Sequence, residues 1–189
     1  VHRFSPLGLL ALSSAIAIVG LYWLSTGTGV AILAAATIYG IGKAFFWPTT
    51  LGVVAEQFPR GGALTLNVIA GVGMLGSGIL GAAILGNVQD RQIDADLLAY
   101  DRAHGSALHE TYVTEERTSL FGDYVALDSE RVNEASQSDG DRIEEVEADA
   151  KKGALRTVVW FPVLMLVCYL GLILYFRARG GYRVVDILE

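Results

Sequence analysis

The stretch that decides the fold runs from Ile38 to Asn67 and reads IYGIGKAFFWPTT, LGVVAEQFPRGG and ALTLN. It holds the end of one long apolar run, a short polar break at Glu56–Gly62 and the start of another apolar run. An apolar segment of about 20 residues can cross a lipid bilayer as a helix. Lys43 would then lie near the middle of the bilayer, where an ionisable side chain is costly and marks a candidate functional site.

Four apolar runs of this kind occur along the 189 residues, and Lys43 is the only formal charge inside any of them: Leu7–Leu24, Val30–Val54, Ala63–Val88 and Thr157–Phe176. A helix of a soluble protein rarely stays apolar on all faces for such a length. The sequence therefore predicts an all-α membrane protein with four transmembrane helices. Their predicted bounds are residues 6–25, 29–56, 62–88 and 156–178.

The segment between the third and fourth runs is polar and acidic. From Val88 to Leu155 it carries 17 acidic residues and 7 Lys or Arg, a net charge of −10, whereas the rest of the chain carries +4. Residues 89–155 are too polar for the bilayer and too many for a simple connection. We expect a partly helical, extracytoplasmic insertion of short amphipathic helices, with a looser middle around Ser136–Gly140.

Apolar residues recur at helical spacing in two pieces of this insertion, and they are the expected buried positions: Ile93, Leu97 and Tyr100, and then Ile143, Val146 and Ala150. His104 and His109 lie among carboxylates, but no tight ligand spacing stands out, so we predict exposed polar residues and no metal site. No nucleophile–base pair and no basic patch is visible, so neither an enzyme nor a nucleic-acid-binding protein is expected, and no cofactor is predicted.

Basic residues favour one orientation. Four spans place both ends on one side of the membrane, and the short segments on that side hold Arg3, Arg60, Arg177, Arg179 and Arg183. The short loop Ser25–Gly29 on the other side has none. Both ends, including the tail 179–189, are therefore predicted to be cytoplasmic. The expected location is the cytoplasmic membrane of a bacterium.

Several residues around the polar break are candidates for a gate or for helix packing. Pro48 removes a helical hydrogen bond and predicts a kink around Ala44–Trp47. Glu56 lies beside Arg60 at the membrane edge, where an ion pair or a gate contact is expected. On the third span, a packing or gate role is expected for Asn67, and the small residues Gly73, Ser77 and Gly81 predict close helix packing.

The order of these features resembles the tenth and eleventh helices of the major facilitator superfamily. The resemblance lies in a proline inside the earlier helix, the loop Pro59-Arg60-Gly61-Gly62-Ala63 and the glycine-rich span that follows. It covers the four spans, as helices nine to twelve, but not the insertion. It implies the C-terminal part of a twelve-helix secondary transporter, whose N-terminal helices precede Val1 and whose solute binds near the bilayer midplane.

Lys43 shares a helical face with Tyr39, Trp47 and Thr50, according to the i, i+4, i+7 rule. A cation, a phenol, an indole and a hydroxyl together can recognise a polar or anionic solute. These four residues are the candidate substrate site. Alternatively, Lys43 pairs with an acidic residue elsewhere in the protein and only holds helices together.

Two classes of function compete at this point. The first is transport of a small solute by a facilitator-type, alternating-access transporter. The second is a four-span membrane anchor or signalling module that displays an acidic extracytoplasmic domain. The upstream sequence distinguishes them, because eight further spans favour the transporter and an initiator Met just before Val1 favours the module.

Overall fold

The structure is a computed structural model, and it describes residues 5–119 and 122–185. Residues 1–4, with the predicted cytoplasmic Arg3, and the end of the predicted tail at residues 186–189 lie outside the described residues. The chain forms two compact units, residues 1–76 with 159–189, and residues 77–158. In the first unit the helices are α1 (Pro6–Thr26), α2 (Ala31–Ala44), α3 (Phe46–Gln57), α4 (Gly62–Leu75) and α9 (Trp160–Ala178).

The first two helices form a hairpin, as the short polar turn between them predicts. Ser5 caps α1 by accepting a hydrogen bond from the Gly8 backbone at 3.1 Å, and Pro6 follows as the first helical residue. Small residues let the backbones of α1 and α2 meet. A Cβ atom at Gly42 would lie 2.7 Å from the Ala17 nitrogen, so only glycine fits there.

The second apolar run is two helices rather than one. α2 ends at Ala44 and α3 begins at Phe46, with a turn at Phe45. Pro48 has no backbone N–H to continue the α2 ladder, which explains why the break falls just before it. The Thr49 backbone resumes the ladder by donating to the Phe45 carbonyl at 3.2 Å. The break lies within the kink predicted from the sequence.

Apart from α1, the helices of the first unit expose much of their apolar surface. α2 and α9 pack on α1, which buries Leu7, Leu10, Ala17 and Leu21. By contrast, no residue of α4 is buried. Four helical stretches are long and apolar enough to cross a membrane: Pro6–Thr26, Ala31–Gln57, Pro59–His104 and Gln137–Ala178. The prediction of four such helices is therefore confirmed at the level of length and composition.

The second unit has its own core. Its elements are a short π-helical stretch over Gly76–Gly81, α5 (Ala82–His104), α6 (Leu108–Tyr112), β1 (Val113–Ser119), β2 (Gly122–Leu127), α7 (Ser129–Asn133) and α8 (Gln137–Val158). The two predicted apolar sets meet where α5 packs on α8. Ile93, Leu97, Ile143, Val146 and Ala150 are buried together, and Tyr100 packs against them.

The description of the insertion as a few short helices with a loose middle is wrong in two respects. Gln137 already begins α8, so most of Ser136–Gly140 is helical, and α5 and α8 have 23 and 22 residues. The middle of the insertion lies earlier in the chain than predicted, and it is an antiparallel β-hairpin that pairs Val113 with Leu127 and Ser119 with Gly122. The all-α assignment therefore needs this one exception. Strands of six or seven residues give too short an alternation to stand out from sequence.

Candidate functional site

Lys43 lies near the end of α2, two residues before the break at Phe45. Its side chain is exposed, and among residues 5–119 and 122–185 it has neither a hydrogen bond nor an ion pair. The stretch Ala31–Gln57 is one of the four long enough to cross a membrane. At 1.5 Å per residue, Lys43 is roughly 18 Å from Ala31 and roughly 21 Å from Gln57.

The other three candidate residues surround the same break but differ in their packing. Tyr39 is half-buried because its backbone packs against Gly20, where a Cβ atom would lie 2.5 Å from the Tyr39 nitrogen. Trp47 keeps 44% of its surface exposed. Thr50 is half-buried, and its hydroxyl lies near the Tyr169 phenol of α9.

The predicted gate and packing residues are placed unevenly. Gly73 lies under Trp47, since a Cβ atom there would be 2.7 Å from the indole Cζ3 atom. Pro48 and Asn67 are exposed. Ser77 and Gly81 are also exposed, and both lie in the π-helical stretch Gly76–Gly81 that follows α4. Close packing through Ser77 and Gly81 stays a prediction, whereas Gly73 makes its contact with α3.

Glu56 contacts the C-terminal tail. The Tyr182 hydroxyl donates to its carboxylate at 2.7 Å, and the Val185 backbone donates to its carbonyl at 3.0 Å. Next to it, Gln57 Nε2 donates to the Arg183 carbonyl at 2.8 Å. Arg60 is exposed, and it forms no ion pair with Glu56 in the described part of the chain.

This tail contact was not predicted from the sequence. Burial and the hydrogen bond to the Glu56 carboxylate raise the pKa of Tyr182 to about 12, because both disfavour the phenolate. The Phe176 ring also lies edge-on to Tyr182, with centroids 5.3 Å apart. The local sequence offers little indication of this contact. Tyr182 directly follows Gly180 and Gly181, whose positive φ angles turn the chain.

The histidines of the second unit support its fold. His109 Nε2 lies 2.7 Å from the Asp94 carboxylate, which joins α6 to α5. His104 is exposed, as predicted, and stacks on Tyr100 with ring centroids 4.1 Å apart. Among the described residues, no group of three or more His, Cys, Asp or Glu side chains is placed to hold a metal ion.

A second set of polar residues fixes the hairpin to α5. Asp90 accepts hydrogen bonds from Arg117 at 3.0 Å and from the Tyr124 hydroxyl at 2.8 Å. Its carboxylate is 16% exposed, and Arg117 also reaches Glu115 at 2.8 Å. The hydrogen bond to Glu115 and the nearby Asp90 charge raise the pKa of Arg117. Every polar group here has a partner within the cluster, which indicates a structural role.

Comparisons with known proteins add no relative. No family model, no curated protein and no solved structure matches this chain. The fold and the site define a mainly helical protein with four helices suited to a membrane. Lys43 lies midway along the second of them and has no side-chain partner among the described residues.

Proposed function

We propose that these four helices belong to a secondary transporter of the major facilitator type, as helices nine to twelve of a twelve-helix protein. In this proposal the chain moves a small polar or anionic solute by alternating access. Lys43 is the central solute-binding group, and Tyr39, Trp47 and Thr50 border it. The missing N-terminal helices of the same protein supply the facing half of the site.

The observation that carries the proposal is Lys43, which is exposed, has no partner in the described part of the chain, and lies midway along a stretch suited to cross a membrane. An ammonium group at the bilayer centre costs about 2.5 to 3.5 kcal/mol on insertion scales. The Lys43 side chain is too short to bring its ammonium group to either membrane surface, because both ends of the stretch Ala31–Gln57 are roughly 20 Å away. The lysine therefore needs an aqueous cavity, a carboxylate or an anionic solute.

The broken helix supports the same proposal. In transporters, discontinuous helices border the solute site, because the freed backbone groups there face a cavity rather than lipid. The break at Phe45 follows Lys43 by two residues, and Trp47 stays 44% exposed beyond it. A cation and an indole thus lie within one turn of the break.

The exposed apolar surface of α4 and α9 favours further helices around this unit. Leu64, Val72 and Met74 of α4 are 74%, 63% and 71% exposed, and Trp160 at the start of α9 is 72% exposed. Such a surface must be covered by lipid or by other helices. The eight additional helices of the proposed transporter would cover part of it, with lipid covering the rest.

The membrane anchor is the second candidate function. The observation that favours it is the second unit, which has its own buried core of α5, α6, β1 and α8. In the transporter proposal residues 89–155, which make up most of this unit, are an extracytoplasmic insertion, and both chain ends are cytoplasmic. Membrane-impermeant thiol labelling should then reach Asp123→Cys from outside and Gly61→Cys from inside; labelling of both from one side contradicts this topology.

Uptake by the full-length protein in proteoliposomes tests the function. Small polar and anionic solutes are screened with the unmutated protein, and Lys43→Ala is then compared with Ile41→Ala on the same helix. We expect Lys43→Ala to abolish or greatly slow uptake and Ile41→Ala to retain it. Lys43→Arg should restore uptake only in part, because a planar guanidinium does not replace a compact ammonium.

Two outcomes would contradict the assignment. Uptake by Lys43→Ala at the unmutated rate, at equal abundance in the membrane, would remove Lys43 from the site. Loss of the folded protein in Lys43→Ala would instead support the structural ion pair. If no solute in the screen is taken up and the gene encodes only these four spans, the anchor is the better account.

A further inference from the structure

A cleft of about 710 Å³ opens where the C-terminal tail meets the end of α3. The tail is held there by the hydrogen bonds from Tyr182 to Glu56 and from Gln57 to the Arg183 carbonyl. Arg60 and Arg183 line the cleft together with Thr65. The tail therefore brings a second arginine to a loop that has only one of its own.

The described charged residues that line this cleft are both basic. Arg60 and Arg183 are both exposed, and neither forms an ion pair in the described part of the chain. Among residues 5–119 and 122–185, those that line the cleft include no Asp or Glu. The nearby Glu56 carboxylate already accepts the Tyr182 hydroxyl. Two guanidinium groups and a hydroxyl are the donors that phosphate groups prefer in proteins.

An apolar groove continues from the cleft between α3 and α4. It has a volume of about 220 Å³ and shares Phe58, Pro59 and Thr65 with the cleft. Its remaining lining is almost entirely apolar: Val54, Ala55, Gly62 and Leu66. Phe58, at the junction, leaves 64% of its surface exposed. The cleft that holds the two arginines is therefore continuous with an apolar groove.

We propose that the cleft and the groove together bind an anionic phospholipid. Arg60 and Arg183 hold the headgroup phosphate, Thr65 donates to one of its oxygens, and an acyl chain lies in the groove beside Ala55 and Leu66. The site lies at the end of the stretch Ala31–Gln57, the level at which a spanning helix reaches the headgroups. A free phosphate would use the cleft and leave the groove empty.

Lipid retention by the purified full-length protein tests this proposal, without reference to any transported solute. Phosphatidylglycerol and phosphatidylcholine with identical acyl chains are added in neutral detergent, and bound lipid is counted by native mass spectrometry. The unmutated protein should retain phosphatidylglycerol about tenfold better, since each arginine near an anionic headgroup contributes a few-fold to more. The double variant Arg60→Gln with Arg183→Gln should lose that preference.

The matched control is Arg177→Gln with Arg179→Gln. It removes the same amount of charge, at exposed residues that do not line the cleft. This pair should keep the preference. Equal retention of both lipids by the unmutated protein, or an equal loss in the two double variants, would overturn the site.

The groove is tested separately. Ala55→Phe should fill it and reduce retention of phosphatidylglycerol, whereas millimolar inorganic phosphate should displace little of the lipid. If phosphate displaces the lipid fully and Ala55→Phe has no effect, the cleft binds phosphate groups without a lipid chain, and the proposal is wrong in its ligand.

Discussion

The indole of Trp47 lies directly over Gly73, so that a Cβ atom at Gly73 would be 2.7 Å from the Trp47 Cζ3 atom. This contact joins α3 to α4 just beyond the break at Phe45. It connects a residue of the candidate solute site with one of the predicted packing glycines. The position of the Trp47 indole therefore depends on Gly73 having no side chain.

Gly73→Ala should displace Trp47 and destabilise the protein. Overpacking of this kind costs about 1 to 3 kcal/mol where the neighbour must move. Gly71→Ala is the control, because a Cβ atom at Gly71 meets nothing within 4 Å. Thermal unfolding in detergent and quenching of Trp47 fluorescence, with the other two tryptophans replaced by Phe, provide the measurement. Equal behaviour of the two variants would contradict the contact.

The hairpin of α1 and α2 yields a second glycine test. A Cβ atom at Gly42 would lie 2.7 Å from the Ala17 nitrogen and 2.9 Å from the Ser13 carbonyl oxygen, and backbone atoms cannot yield as a flexible side chain can. Gly42→Ala should therefore force the helices apart and lower the melting temperature. Gly40→Ala, two residues earlier, places its Cβ atom in open space. It should leave stability unchanged or raise it slightly, because alanine favours the helix.

The sequence predicted the helices of the first unit closely, and physical reasons account for what it missed. A long apolar run predicts a membrane-spanning helix of the same extent, and α1 and α9 do begin and end near their predicted bounds. Pro48 identified the break before the structure showed it. The close contact of α1 and α2 through Gly20 and Gly42 was missed, because a glycine that meets another backbone looks in sequence like any other glycine.

The second unit and the tail were harder to predict. The buried positions from Ile93 to Ala150 followed from their spacing, but nothing local showed that the two sets pack on each other. The candidate site was predicted only in part. Lys43 was identified because a charge within an apolar run is conspicuous, whereas the contact of Tyr182 with Glu56 joins residues 126 positions apart.

Tyr182→Phe should release the tail. It removes the hydroxyl that donates to Glu56 while keeping the ring that packs on Phe176. Loss of one such hydrogen bond costs about 1 kcal/mol, so trypsin should cleave after Arg183 about fivefold faster. Tyr175→Phe is the control, because the Tyr175 hydroxyl does not hold the tail. An unchanged rate in Tyr182→Phe would show that the tail is held by other contacts.

The same contact predicts a dependence on alkaline pH. The folded pKa of Tyr182, about 12, is above the ordinary value of 10.0 for tyrosine. The stabilisation is therefore complete below that ordinary value and is lost as the pH rises through the folded pKa. In Tyr182→Phe the increase in tail release over this range should be absent.

Asp101 predicts a sensitivity of α6 to acid. It accepts hydrogen bonds from Ser106 at 2.5 Å and from the His109 backbone at 2.7 Å. Partial burial works against the charged form, but these bonds and the one from the Leu108 backbone outweigh it and hold the pKa of Asp101 below its usual range. The stabilisation is therefore present above the ordinary aspartate pKa and is lost as the pH falls through the lower, folded one.

Amide hydrogen exchange of the full chain measures this effect. Asp101→Asn should speed exchange at Leu108 and His109 at neutral pH, corresponding to about 1 to 2 kcal/mol of local opening. Asp141→Asn, at an exposed position of α8, is the control and should leave these amides unchanged. Equal protection in Asp101→Asn and the unmutated chain would mean that α6 does not depend on this carboxylate.

The most direct test of the central claim is water access to position 43 within the membrane. In the full-length protein with Cys168→Ala, Lys43→Cys is exposed to a membrane-impermeant, water-soluble thiol reagent added to either side. Ile41→Cys, at the same depth and about 200° around the helix, is the control. We predict rapid modification at position 43 and little at position 41. Failure of the reagent to modify Lys43→Cys from either side, in folded and inserted protein, would contradict an aqueous solute site at Lys43.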